Sequence, residues 1–343
     1  MANDVFLRGT TTKGEVSLSG ADIGGQLGCE GASFENFGGV ALNAQTLRIS
    51  AGFFFRDVKP VKGRVQLASA RIYDFVDGAE SWQGCDAVLL VGLTYKLIGG
   101  GAAPKTFAGR RDWLAKGSHF EGEFFPQPYT QFARVMRAAG HDAEARAALM
   151  ERDRQLFAVA EAGDRVACKA AYGGWKTWWK TTKIWFRLHG RKAWGSLNRR
   201  IVGYGHRPDY ALRWLLGLWL GGTLAYALAY HFGLMVPNSD VVMVSHEWLR
   251  AVATHPVAPT AVWMVDPVLA SKHYETFFAA IFALDLFLPI VDLGQESAWA
   301  VTTTTTAGWV LRVATYGYQL SGWLVTSLGL AAVTGFIQRD TPT

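Results

Sequence analysis

Asp285 and Asp292 stand where a carboxylate needs a reason. They interrupt an apolar stretch, FFAAIFALDLFLPIVDLG (residues 277–294), which Pro289 also breaks. A carboxylate at mid-bilayer costs about 2.5–3.5 kcal/mol on insertion scales, so it must face protein or water. Lining or ringing a cation path is one use for such groups. Other candidate chemistry is thin. His246, Glu247, His255, His273 and Glu275 gather in one region, but their spacing matches no HExxH or other zinc pattern, and they read as scattered surface groups. Cys29, Cys85 and Cys168 lie far apart with no CxxC pair, which excludes a zinc ribbon or a dithiol redox motif. Free thiols fit a reducing compartment. No Ser-His-Asp or Cys-His constellation follows from spacing, so no catalytic residue, metal ligand or cofactor is predicted.

A second set of residues could bind rather than react. Lys176, Lys180, Lys183 and Arg187 interleave with Trp175, Trp178 and Trp179 near three- and four-residue spacing. That pattern predicts an amphipathic helix, interrupted at Gly173-Gly174 and at Gly190. Tryptophan rings and ammonium groups together favour the lipid-water interface. Each juxtamembrane cation is worth about 1 kcal/mol against an anionic leaflet. Nucleic acid would use the same residues for phosphate contact and base stacking. The segment runs straight into an apolar stretch, however, so anionic lipid is the expected partner and nucleic acid is not.

The charge distribution agrees. Residues 1–163 are balanced, with 18 basic and 18 acidic side chains; residues 164–213 carry 12 basic against two acidic; residues 214–343 carry four and eight. A hydrophobic share of 50% with only 18% charged residues makes a membrane protein the first class to test.

These groups need elements to hold them. Residues 214–236 and 313–337 have no Lys, Arg, Asp or Glu and are long enough to cross a bilayer. The intervening residues 277–293 are apolar but short and broken, which predicts a re-entrant segment, with a short full span as the alternative. Basic residues before the first span place that side in the cytosol. The opening MANDVFLRGTTTK lacks an apolar signal core, so the N-terminus is expected in the cytosol too. Small residues recur four apart at Gly217, Gly221, Ala225 and Ala229, and at Ser327, Ala331 and Gly335. Such rows let helices approach closely, and they predict packing of the two spans or of two copies as a homo-oligomer.

The N-terminal third repeats. Gly14, Val16, Leu18, Ala21 and Ile23 match Gly63, Val65, Leu67, Ala70 and Ile72 at an offset of 49. Shorter echoes fall between, at Leu27, Cys29, Ala32 and Phe34 and at Leu42, Ala44, Leu47 and Ile49. Short strands with small inward residues predict a β-solenoid over residues 1–100, with pentapeptide-like repeats. A small antiparallel sheet is the alternative. Residues 89–98 would add a last strand. Met1 falls inside a repeat, so the first coil is expected to open onto an upstream piece or a partner. From Gln127 the period becomes helical. Residues 101–163 are expected to form a helical hairpin broken at Gly140, with Asp142 as a cap and Tyr129, Phe132, Ala133 and Met136 as its apolar stripe. The basic segment then occupies 164–209 and the membrane module 210–343.

Two resemblances rest on these strings. The coils around Gly14 and Gly63, PQPYTQFARVMRAAGHDAEARAAL, GYGHRPDYALRW and FALDLFLPIVDLGQ together resemble a group of bacterial membrane proteins labelled membrane-associated oxidoreductases. That likeness implies the bacterial inner membrane and a redox activity, although no GxGxxG after a strand, CxxC or haem motif stands in this chain. The layout is also similar to pentapeptide-repeat proteins fused to a two-span ion-channel module. Where such a channel carries a TVGYG-type filter, this chain has Asp285 to Gln295. Three functions follow as expectations. The first is a membrane-anchored scaffold offering a cytosolic solenoid to a protein partner. The second is an oligomeric pore with Asp285 and Asp292 near the path, and the third is a membrane redox enzyme.

Overall fold

The computed structural model describes residues 3–101, 103–170, 178–265, 273–288 and 291–334, the side chains of 167–170 and 178–188 excepted. The chain forms two compact units, residues 1–195 and 196–343.

The first unit opens with eleven strands: β1 (Val5–Phe6), β2 (Thr11–Lys13), β3 (Val16–Ser17), β4 (Asp22–Ile23), β5 (Leu27–Gly28), β6 (Ser33–Asn43), β7 (Arg48–Phe55), β8 (Lys62–Gln66), β9 (Arg71–Asp77), β10 (Cys85–Leu89) and β11 (Thr94–Ile98). They build two parallel sheets, one ordered β1-β5-β7-β9-β11 with β4 on β7, the other β10-β8-β6-β2 with β3 on β6. Every pairing between them is parallel, so the antiparallel alternative is set aside and a β-solenoid of about four coils stands.

Register explains the repeat. Ile23 pairs with Ile49, Ile49 with Ile72, and Ile72 with Tyr95, steps of 26, 23 and 23 residues. The 49-residue offset in the sequence is therefore two coils, one of each length. The same corner recurs in each coil. The amides of Ala21, Leu47, Ala70 and Leu93 donate to the carbonyls of Leu18, Ala44, Leu67 and Leu90 at 3.0–3.4 Å. The third corner residue is left-handed: Gly20, Thr46, Ser69 and Gly92, at φ +72°, +55°, +58° and +78°. Such a turn favours glycine there, so Thr46 and Ser69 carry local strain. Inside, Leu27, Leu42, Phe53, Val65 and Phe75 are buried in layers, with Phe53 and Phe75 rings 5.7 Å apart.

Helices close the far end of this solenoid: α1 (Phe107–Gly117), then the hairpin β12 (His119–Phe120) and β13 (Glu123–Phe124), α2 (Gln127–Ala138) and α3 (Asp142–Ala170). Residues 101–163 thus hold three helices rather than a two-helix hairpin, and the third continues into the segment expected to be interfacial. The break at Gly140 is a left-handed residue, φ +79°. Tyr129, Phe132, Ala133 and Met136 are buried. Parallel strands leave a row of backbone groups at a solenoid's end, and side chains of α2 meet three of them. Gln127 accepts from the Gly92 amide and donates to the Leu93 carbonyl, both at 3.0 Å, and Gln131 donates to the Tyr95 carbonyl at 2.6 Å.

A buried ion pair locks this cap. Arg110 on α1 meets Asp77 at the end of β9 through two bonds of 2.5 Å, and both side chains are sealed from solvent. Trp82 donates to Asp77 at 2.6 Å, and Arg110 also donates to the Pro104 carbonyl at 2.9 Å. A buried pair holds only when its remaining polar atoms are bonded in this way.

α4 (Trp178–Val202) runs across the unit boundary. Gly190 lies inside it, so the expected interruption there does not occur. The second unit continues through a left-handed turn at Gly203, Tyr204 and Gly205 (φ +54°, +57° and +86°) into α5 (Asp209–His231). Then come β14 (Met235–Pro237), α6 (Asp240–Met243), α7 (His246–Thr254), α8 (Pro259–Val265), α9 (Ala279–Phe287), α10 (Gln295–Ala298), β15 (Trp299–Val301) and α11 (Thr306–Val333). The first apolar helix starts and ends five residues earlier than the expected 214–236. The last starts seven residues before 313 and so includes Arg312. Among the described residues, Asp209–His231 is the helix long and apolar enough to cross a membrane.

Candidate functional site

Short α9 packs against both α5 and α11, and hydroxyl and indole groups fix it there. Trp219 donates to the Ala280 carbonyl at 2.9 Å. The Tyr318 hydroxyl stands 3.1 Å from the Ala283 carbonyl and 3.3 Å from that of Leu218, linking all three helices. Tyr226 donates to Thr315 at 3.1 Å. Two glycines make room. A Cβ on Gly222 would stand 2.5 Å from the Tyr318 hydroxyl, and one on Gly322 would stand 2.3 Å from Cβ of Phe287.

The chain enters α9 and leaves it on one side. Phe277 stacks on Tyr230 in the last turn of α5, with ring centroids 4.9 Å apart. Phe287, at the other end, reaches Gly322 in the middle of α11. The chain then returns to β15, which pairs antiparallel with β14 just beyond α5. Asp285 shapes that return. Its carboxylate accepts from the amides of Leu293 (2.7 Å) and Glu296 (2.8 Å), and the residue is 4% exposed. A carboxylate is acceptor-only, and both of its oxygens are engaged on backbone. Gln295, buried alongside, accepts from Phe278 N–H at 3.0 Å and donates to the Thr276 carbonyl and to Glu275 Oε1 at 3.0 and 3.1 Å.

Beside the loop lies a cleft of about 140 Å³ between α9, α10, β15 and α11. Phe282, Leu286 and Trp299 give it apolar walls, and Glu296, Arg312 and Gln319 face it as polar groups. Gln319 donates to one oxygen of Glu296 at 2.8 Å. The Arg312 guanidinium lies 5.9 Å from the Tyr316 ring centre.

The expected site residues are placed as follows. Asp285 is buried near the end of α9, where it accepts from amides of the return loop. Asp292 is exposed and accepts from the Gly294 amide at 2.9 Å. Pro289 lies outside the described residues. Gly217, Gly221 and Ala225 are exposed, and a Cβ on either glycine would meet nothing within 4 Å; Ala229 is buried. Ser327 is exposed, Ala331 is half-buried, and Gly335 lies outside the described residues. The close helix approaches are made at Gly222 and Gly322, which belong to neither row. Trp178, Trp179, Lys180, Lys183 and Arg187 fall within α4, while Trp175 and Lys176 lie outside the described residues. Among the described residues, no three His, Cys, Asp or Glu side chains come together as a metal site. Thr302 to Thr306 lead into α11 and close its N-terminus. Thr305 accepts from the Gly308 amide at 3.1 Å, and Thr302 is buried.

Sequence reasoning passed over Arg312, Glu296, Tyr318, Gly222 and Gly322. Arg312 carried a usable signal: a lone cation at the edge of an uncharged run, beside which the span was drawn. No family model matches the chain, and neither a curated protein nor a solved structure is detectably similar to it.

Proposed function

We propose that this chain is a membrane-anchored scaffold. In this reading α5 and α11 cross the bacterial inner membrane and α9 enters and returns as a re-entrant segment. The solenoid stands in the cytosol as a ladder for a protein partner. The observation that carries the reading is a row on α5: Leu212, Leu216, Leu220, Leu224 and Leu228 are all 48–69% exposed. Leaving each half-exposed leucine in water costs roughly 1 kcal/mol or more, a cost that hydrocarbon removes. Trp309, Val310, Val313, Leu320 and Val333 give α11 a similar bare surface. The basic block before α5 supports a cytosolic N-terminal side and contact with anionic lipid. The uncovered Gly217 and Gly221 offer a second copy a place to approach, in keeping with a homo-oligomer.

A pore is the second reading, and the path of α9 favours it: down to mid-α11 and back, with the loop pinned by Asp285. In that case Asp285 would shape the constriction while exposed Asp292 would face the ions. The experiment takes purified protein in vesicles, with carbonate extraction and then ion flux, beside Asp285→Asn and Asp292→Asn. Protein released by carbonate overturns the anchor. Stable insertion without flux supports the scaffold, and flux that Asp292→Asn reduces makes the pore primary. Flavin or haem absorbance in the purified protein would instead favour the redox activity that the resemblance implies.

A further inference from the structure

The cleft beside α11 holds opposite charges that do not meet. Arg312 has neither an ion pair nor a hydrogen bond among the described residues; its one charge contact is the Tyr316 ring. Glu296 uses one carboxylate oxygen for Gln319, and the other has no partner among the described residues. Both side chains line the same 140 Å³, yet no bridge of 4.0 Å or less joins them. A half-buried guanidinium without an anion is costly on an apolar helix, and five N–H donors in a planar fork match phosphate. A carboxylate with a free oxygen matches an ammonium group. One ligand that answers both carries a phosphate and a primary ammonium a few bonds apart.

The position says where such a ligand would come from. At 1.5 Å per residue the 28 residues of α11 reach about 42 Å, close to the thickness of a bilayer with its headgroup layers. Arg312 lies six residues after Thr306, about 9 Å from the helix start, at the boundary between headgroups and hydrocarbon. Trp309, Val310 and Val313, bare on the same helix, would lie beside acyl chains. Asn238 and Tyr316, both exposed, open the cleft to the outside.

We infer that this cleft binds the headgroup of a zwitterionic phospholipid with a primary ammonium, its phosphate on Arg312 and its ammonium on Glu296. The inference rests on α5 and α11 lying in the membrane. It is tested by reconstituting the full chain in vesicles of phosphatidylethanolamine mixed with phosphatidylcholine or phosphatidylglycerol. Flotation is followed by native mass spectrometry of retained lipid. Phosphatidylethanolamine should be retained preferentially, because choline cannot donate a hydrogen bond and a glycerol headgroup brings no cation. Arg312→Gln should lower retention about tenfold, the worth of a charge-assisted hydrogen bond. Arg312→Lys should keep part of it, and Glu296→Gln should abolish the preference over phosphatidylcholine. Arg250→Gln, at an exposed position of α7, should change nothing.

Failure to float with vesicles would overturn the membrane reading itself. Flotation with equal retention across lipids and variants would overturn the headgroup site alone. Displacement of the lipid by millimolar soluble phosphoethanolamine, with no preference for the lipid form, would assign the cleft to a soluble solute and overturn the lipid assignment.

Discussion

Cutting Asp77 to alanine should unfasten the cap of the solenoid. The substitution removes two 2.5 Å bonds to Arg110 and the 2.6 Å bond from Trp82, all shielded from solvent. Arg110 then keeps only the Pro104 carbonyl. An uncompensated buried charge typically costs 3–5 kcal/mol, and the orphaned indole N–H adds about 1 kcal/mol. The reverse cut, Arg110→Met, should cost less. The stranded Asp77 still accepts from Trp82, whereas a stranded guanidinium has five donors and only the Pro104 carbonyl to meet. The double variant Asp77→Ala/Arg110→Met leaves no buried charge, so it should recover most of the loss. The coupling energy should be about 3 kcal/mol. The assay is urea unfolding of the full chain in vesicles, read by protease cleavage within residues 1–195. Additive single and double variants, or an Asp77→Ala cost below about 1 kcal/mol, would refute the lock.

Three other outcomes follow. Ser69→Gly should stabilise the solenoid by about 1 kcal/mol, since φ +58° suits glycine; a loss on thermal unfolding would contradict the corner geometry. Gly222→Val should lower thermal stability in detergent by roughly 1–3 kcal/mol through overpacking against Tyr318, while Gly217→Val should change it little. Burial, with Glu30 adding, pushes the Cys29 thiol up to about 12, and burial chiefly pushes Cys85 up to about 11. Both should stay neutral and resist iodoacetamide at pH 9, where an unfolded thiol is half ionised, and react on denaturation; modification of folded Cys29 at pH 9 would overturn this. The raised Cys29 thiol contributes its stability fully below pH 9, and that contribution fades as pH climbs towards 12.

The solenoid was legible because its constraint repeats. Each coil must place an inward aliphatic residue over the last, so Ile23, Ile49 and Ile72 announce one another in the chain. The interval was harder to read, since one coil of 26 residues separates the first match from the rest. Apolar length announced α5 but not the ends of α11, where Arg312 broke the uncharged run that guided the boundary. The Asp77–Arg110 lock had no local signature, because its partners lie 33 positions apart and either alone looks like a surface charge. Asp285 was noticed for its oddness, but its role as an acceptor for the amides of 293 and 296 depends on how the chain turns after α9. Glycines packed on Tyr318 and Phe287 cannot be told from glycines facing outward by spacing alone.

The parallel register also bears on how the protein can be made. After the first coil, each new strand of the solenoid pairs with one that lies 22–27 residues earlier in the chain. Synthesis at about 5–20 residues per second would therefore deliver every coil after the first to a surface already waiting for it. The ladder can grow one step at a time behind the ribosome and needs nothing from the apolar helices that follow. Closure comes last: Gln127 and Gln131 cover the final edge before the first residue of α5 is added, so the adhesive end is shielded by the time the chain turns hydrophobic.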